Sequence, residues 1–102
     1  MREYDIFVPL RYNNGTLIEG SKLLWLQSTL LEQFQGLTYF PQANQGFWKF
    51  GEITYRDEIV IYRVIADDTR AARRFLKTLK EELKAEFDQE EILIVERDVN
   101  TL

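Results

Sequence analysis

Apolar residues recur along the chain with two different periods. In two segments they return every three or four positions, which is the spacing of one face of an amphipathic α-helix. Elsewhere they alternate with polar residues or form short β-branched runs, as in β-strands. The predicted elements, in chain order, are a strand over Tyr4–Leu10, a helix over Ser21–Gln35, a strand over Leu37–Pro41, a polar loop over 42–46, a hairpin over Phe47–Tyr55, a strand over Asp57–Ala66, a helix from Asp67 or Asp68 to Phe87 and a strand over Ile92–Arg97.

The predicted helices have capping signals at their ends. Ser21 is of a type preferred at the N-cap, and Gly36 is a natural stop after the last turn of the first helix. Asp67 or Asp68 is expected to cap the second helix, because a short acidic side chain can accept a hydrogen bond from a free amide there.

Each predicted helix has one apolar stripe. In the first helix, Leu24 and Leu31 are expected to widen the stripe, whereas Trp25 lies outside it and predicts some further cover. The stripe residues are Leu23, Leu26, Leu30 and Phe34 in the first helix and Ala72, Phe75, Leu76, Leu79, Leu83 and Phe87 in the second.

The order of elements is strand, helix, two strands, helix and strand. This βαββαβ order predicts an α+β fold of the ferredoxin-like type. We expect a four-stranded antiparallel sheet with both helices on one face and a small extra hairpin. At 102 residues, the whole chain 1–102 is predicted to form a single domain.

The central strand is apolar on both of its faces, which is unusual for a sheet covered on one side only. A second subunit, the hairpin folded back or a bound apolar ligand could each cover the second face. We favour a homodimer that packs face to face, since an exposed apolar sheet face would associate with another apolar surface. One face carries Ile59, Ile61, Arg63 and Ile65, and the other carries Val60, Tyr62, Val64 and Ala66.

Composition excludes several kinds of chemistry. The chain has no histidine and no cysteine, so nucleophilic catalysis by those residues, structural zinc and iron–sulfur clusters are ruled out. No cofactor and no metal site is expected.

The net charge of −4 argues against general affinity for nucleic acid. No apolar run is long enough for a membrane span and no leader segment is evident, so we expect a cytoplasmic protein without membrane contact.

Arg63 is the most informative single residue, because it lies among isoleucines in the central strand. Its guanidinium must either pair with a carboxylate or point into a cavity that accepts an anion. Candidate carboxylates are Glu96, Glu52 and Asp5. If these groups converge with the aromatic residues in mid-chain, they would form a pocket for a small molecule. The candidate ligand-binding residues are Arg63, Tyr62, Tyr55, Trp48, Tyr39 and Glu52.

Four segments resemble a group of small bacterial proteins of about this length that have no assigned function. These are Gly36–Tyr39, Phe47–Lys49, Tyr55–Tyr62 and Gln89–Ile94. The resemblance implies no site residue. The strand order is also similar to that of ACT-type ligand-sensing modules and of small cofactor-free oxygenases, and such topological likeness does not fix function.

Two functions follow from the sequence. The favoured one is a small non-catalytic binding or regulatory module that self-associates through its sheet, with a small-molecule ligand as a further candidate partner. The alternative is a small cofactor-free enzyme that acts on an anionic or aromatic metabolite. In that enzyme Arg63 would hold the substrate, and Tyr55, Tyr62 or Glu52 would transfer protons.

Overall fold

Two helices cover one face of a four-stranded antiparallel sheet in the computed structural model, which describes residues 1–102. The strand order is β2-β3-β1-β4, with β1 and β3 in the centre. This confirms the predicted ferredoxin-like α+β fold. The elements are β1 (Arg2–Pro9), α1 (Gly20–Phe34), β2 (Thr38–Phe50), β3 (Ile53–Ala66), α2 (Arg70–Glu86) and β4 (Leu93–Asp98).

The predicted polar loop over 42–46 and the predicted hairpin are both part of a long β2–β3 pair. A register shift between Phe40 and Asn44 lets β2 continue through this segment. Gly51 occupies the first position of the two-residue turn with φ 63°, the left-handed conformation that glycine adopts without strain. Because β1 ends opposite Ile59, residues 46–57 form a two-stranded extension beyond the sheet, which we call the ribbon.

The ends of α1 differ from the predicted caps. The N-cap is Glu19, which makes no side-chain capping bond, and Ser21 lies inside the first turn. At the other end Gln35, not Gly36, adopts the left-handed conformation, with φ 63°. Its amide donates to the carbonyl of Leu31 at 2.8 Å, so one of the last free carbonyls of the helix is satisfied.

The N-cap of α2 is Thr69, not Asp67 or Asp68. The Thr69 hydroxyl accepts a hydrogen bond from the amide of Ala72 at 3.1 Å. Asp68 lies 3.5 Å from the guanidinium of Arg2 and belongs to an ion pair at the end of the sheet. The helix therefore begins after the acidic pair, where a threonine serves the same capping purpose.

Substituting Thr69→Ala is expected to lower the free energy of unfolding by about 1 kcal/mol, because it removes the capping acceptor. Urea denaturation measures the loss. Thr78→Ala is the matched control on the same helix, since Thr78 is exposed and makes no capping bond. Alanine has the higher helix propensity, so this control is expected to be neutral or slightly stabilising. Equal losses in both variants would contradict the assigned cap.

The core lies between the helices and the helix-facing side of the sheet. The predicted stripe of α2 is confirmed, with Phe75 half-buried at its edge. In α1, however, Leu24 and Leu31 do not widen the buried stripe, because they are 64% and 49% exposed. Trp25 is half-buried against the core, which supplies the cover that the sequence predicted. Neither helix is long and apolar enough to cross a membrane.

Candidate functional site

The two faces of β3 separate as the alternation predicted. Val60, Tyr62 and Val64 are each 1% exposed beneath the helices. The intervening side chains lie on the side of the sheet without helices, which we call the open face. The open face consists of Glu3, Asp5 and Phe7 from β1, Thr38 and Phe40 from β2, Ile59, Ile61, Arg63 and Ile65 from β3, and Leu93, Val95 and Arg97 from β4.

A cluster of four charges lies in the middle of the open face. Asp5 is only 3% exposed and accepts two hydrogen bonds from Arg63, at 2.8 and 3.0 Å, and one from Arg97 at 3.0 Å. Glu3 contacts the same two arginines at 3.2 and 3.3 Å. Two cations thus face two anions, so the cluster carries no net charge.

The electrostatics of the cluster follow from these contacts. The hydrogen bonds from Arg63 hold the pKa of Asp5 below its usual range; burial opposes them, and the single bond from Arg97 adds to the lowering. The same pairing raises the pKa of Arg63. The Arg63 guanidinium also lies 5.1 Å from the centroid of the Phe40 ring, a cation–π distance.

Of the three predicted partners of Arg63, Asp5 is confirmed. Glu96 lies on the helix-facing side instead and pairs with Arg73 at 2.8 Å. Glu52 is exposed in the turn at the end of the ribbon. The charge of Arg63 is therefore balanced by carboxylates of its own chain, which is the pairing alternative that the sequence offered.

A second group of predicted residues lies on the ribbon. Trp48 and Tyr55 are stacked with their ring centroids 4.4 Å apart. The Trp48 indole N–H donates to a carboxylate oxygen of Asp57 at 2.9 Å. Trp48 remains 51% exposed, so the pair presents an aromatic surface to solvent. Such a surface can accept a flat apolar group by stacking.

Tyr39 and Tyr62 form a third location, on the helix-facing side. Their rings are stacked with the centroids 4.6 Å apart. Burial raises the pKa of the Tyr62 hydroxyl, and the neighbouring Tyr39 adds a smaller effect. Tyr62 therefore stays protonated at neutral pH, so in the enzyme hypothesis it would act as a proton donor.

The six predicted site residues thus occupy separate places instead of one cavity. The ribbon also does not fold back over the open face, because Phe50 and Ile53 at its end are 72% and 57% exposed. The alternative in which the folded-back hairpin covers the second apolar face of the sheet was therefore wrong. No three carboxylates gather closely enough to ligate a metal ion.

Sequence reasoning missed Arg97 and Glu3 as members of the charge cluster. The signal that could have found them is the strand register, since Glu3 and Asp5 are two residues apart and share a face. Asp5 is opposite Arg63 on β3, and Glu3 is opposite Arg97 on β4. Neither pairing is readable before the strand order is known.

No family model matches the chain, and no curated protein matches its sequence. Several solved structures share its fold, among them the following three. A phage SAM lyase in complex with S-methyl-5'-thioadenosine has a TM-score of 0.69 and 13% identity over 95% of this chain and 80% of the lyase. A phage SAM lyase in the apo state has a TM-score of 0.66 and 15% identity over 94% and 78%. A variant of CutA1 from Pyrococcus horikoshii OT3 has a TM-score of 0.62 and 14% identity over 100% and 86%.

Proposed function

We propose that this protein is a small binding module that self-associates, and that a second copy of the chain covers the open face. The ferredoxin-like fold leaves one side of the sheet without helices. A dimer is the smallest closed assembly that would cover this side. The self-association would bury apolar surface that water otherwise contacts.

The observation that carries this proposal is exposed apolar surface at several places on the open face and on the ribbon, separated by the charge cluster and by Asp57. On the open face Ile65 is 42% exposed and Leu93 is 56% exposed. The alternation along β3 is unbroken, so Ile53 and Tyr55 of the ribbon lie on the same side as Ile59. Exposed apolar side chains concentrated on one sheet face are typical of interaction sites.

The charges of the open face favour a second copy over a charged partner. Asp5, Glu3, Arg63 and Arg97 neutralise one another within the chain, so they leave no net charge for a partner to complement. A nucleic acid needs a basic surface, which this face lacks. A second copy offers the same neutral and apolar composition, and a twofold axis would pair each patch with itself.

Substituting Leu93→Lys is expected to weaken self-association at least tenfold, about 1.4 kcal/mol, because it places a charge inside the apolar contact. Sedimentation equilibrium over micromolar concentrations measures the dissociation constant. Leu24→Lys is the matched control, since Leu24 is 64% exposed on the outer side of α1, against 56% for Leu93. A chain that stays monomeric throughout, or equal weakening by both substitutions, would overturn the proposed interface.

A second candidate function rests on the stacked pair Trp48–Tyr55. Their rings are 4.4 Å apart and partly exposed, and Asp57 fixes the indole. Phage SAM lyase, which shares this fold, has been solved with a nucleoside, S-methyl-5'-thioadenosine. We propose that the stacked pair could hold an aromatic metabolite such as a purine nucleoside, in line with the aromatic-ligand hypothesis drawn from the sequence.

Tryptophan fluorescence tests this second candidate directly. Titration with S-methyl-5'-thioadenosine is expected to quench Trp48, because a stacked base contacts its exposed ring. Trp48→Phe removes that signal and leaves Trp25, which is half-buried against the core, as an internal control. Quenching that persists in Trp48→Phe, or no saturable quenching in the natural chain, would reject the ribbon as the nucleoside site.

A further inference from the structure

A cavity of about 220 Å³ that is open to solvent lies between α2 and the strands β1 and β4, on the side of the sheet opposite the open face. Its apolar floor is formed by Leu76 and Ile94, and its other side chains are polar or charged. It is lined by Tyr4, Arg73, Leu76, Lys77, Lys80, Ile94 and Glu96.

Tyr4 contributes a polar group without a partner. The residue is 3% exposed, and its hydroxyl is buried with no hydrogen-bond partner in the protein. Burial raises the pKa of this hydroxyl, and the charge of Glu96 acts in the same direction, so the group remains an O–H donor at neutral pH. A buried hydroxyl that makes no hydrogen bond destabilises the fold, and phenylalanine would avoid this loss.

The charges around the cavity are predominantly positive, although the chain as a whole is acidic. Three cations line it against the single carboxylate of Glu96. Arg73 is paired with Glu96 at 2.8 Å, and Lys80 is paired with Glu91 at 3.0 Å. Lys77 lies between them on α2 and forms no ion pair, so its ammonium is available to a ligand.

We propose that this cavity binds a small oxyanion, the carboxylate or phosphate group of a metabolite. Once the exposed side chains over it shift aside, the Tyr4 hydroxyl would donate to one of its oxygens; Lys77 would supply the compensating charge, and the guanidinium N–H groups of Arg73 that do not contact Glu96 would donate to another. The volume fits a compact ligand. The site lies on the opposite side of the sheet from Arg63, so it is independent of the proposed self-association.

Amide NMR titrations of the full chain with inorganic phosphate and, separately, with malonate test this site at constant ionic strength. Saturable shifts are expected at residues around Tyr4 and Lys77. Tyr4→Phe and Lys77→Gln are each expected to weaken binding about tenfold, because each removes one charge-assisted contact. Arg70→Gln is the matched control, since Arg70 is an exposed cation on the same helix that does not line the cavity.

The two test anions distinguish a phosphorylated ligand from a carboxylate ligand. Binding of phosphate alone assigns a phosphorylated ligand, binding of malonate alone assigns a carboxylate ligand, and comparable binding of both assigns a general oxyanion site. The proposal is overturned if neither anion gives saturable shifts, if Tyr4→Phe binds as well as the natural chain, or if Arg70→Gln weakens binding as much as Lys77→Gln does. Circular dichroism establishes that each variant is folded.

Discussion

Substituting Phe87→Ala is expected to lower the free energy of unfolding by about 3–5 kcal/mol. Phe87 directly follows α2, is 0% exposed and belongs to the main core cluster. Its amide donates to the carbonyl of Leu83 at 2.9 Å, which holds the backbone in place. The backbone that carries the ring is therefore held in place. Removing the ring leaves a cavity that the neighbouring elements can fill only in part.

Phe50→Ala is the matched control for this prediction. Phe50 is 72% exposed at the end of the ribbon, so its truncation is expected to change the free energy of unfolding by less than about 0.5 kcal/mol. Urea denaturation at low protein concentration measures both variants without a contribution from self-association. A loss of less than about 1.5 kcal/mol in Phe87→Ala would show that the core does not depend on this ring.

The position of Phe87 was predictable from sequence because helical periodicity is a local property. The stripe of α2 repeats regularly, and one buried face is enough to explain it. The same argument failed for Leu24 and Leu31 in α1, which the periodicity placed beside the stripe. A stripe can be wider than the groove that receives it, and only packing against the sheet determines which of its edges remains exposed.

The predicted helix caps were wrong for a different reason. Asp67 and Asp68 were the predicted caps, and the adjacent Thr69 is of an equally suitable residue type. Arg2, which is distant in sequence, pairs with Asp68 in the fold and leaves Thr69 to cap the helix. Competition by a long-range partner cannot be read from the local sequence.

The ribbon and the charge cluster likewise depend on long-range pairing that cannot be read from the local sequence. The polar run between Phe40 and Phe47 has the composition of a loop, yet backbone pairing with β3 holds most of it in a bulged strand. Arg63 was recognised as unusual from its isoleucine neighbours alone. Its partners required the register of two other strands, because Asp5 and Arg97 come from β1 and β4.

Substituting Asp5→Asn is expected to lower the free energy of unfolding by about 2–3 kcal/mol at pH 7. Breaking a fully buried pair is unfavourable by about 3–5 kcal/mol, and here the side chains of Arg63 and Arg97 are 35% and 47% exposed, which reduces the loss. The amide that replaces one carboxylate oxygen is a donor and would face guanidinium donors. Only Glu3 would remain to balance the two cations.

The same substitution is expected to alter the dependence of stability on pH. The fold lowers the pKa of Asp5 chiefly through Arg63, so its contribution is fully present above the unfolded-state pKa of about 4 and is lost as the pH falls through the lower folded value. The natural chain should therefore lose more stability than Asp5→Asn between about pH 5 and pH 2. Glu19 and Glu91 also have lowered pKa values, so the variant retains part of the slope.

Glu58→Gln provides the control for both parts of this prediction. Glu58 pairs with Arg11 at 3.4 Å across an exposed contact, so losing its charge should change stability by less than about 1 kcal/mol. Urea denaturation of the three chains at pH 7, 5, 4 and 3 measures the difference. A parallel pH dependence in the natural chain and in Asp5→Asn would mean that Asp5 is not ionised against its two arginines in the folded protein. The neutral charge cluster on which the proposed interface depends would then not exist.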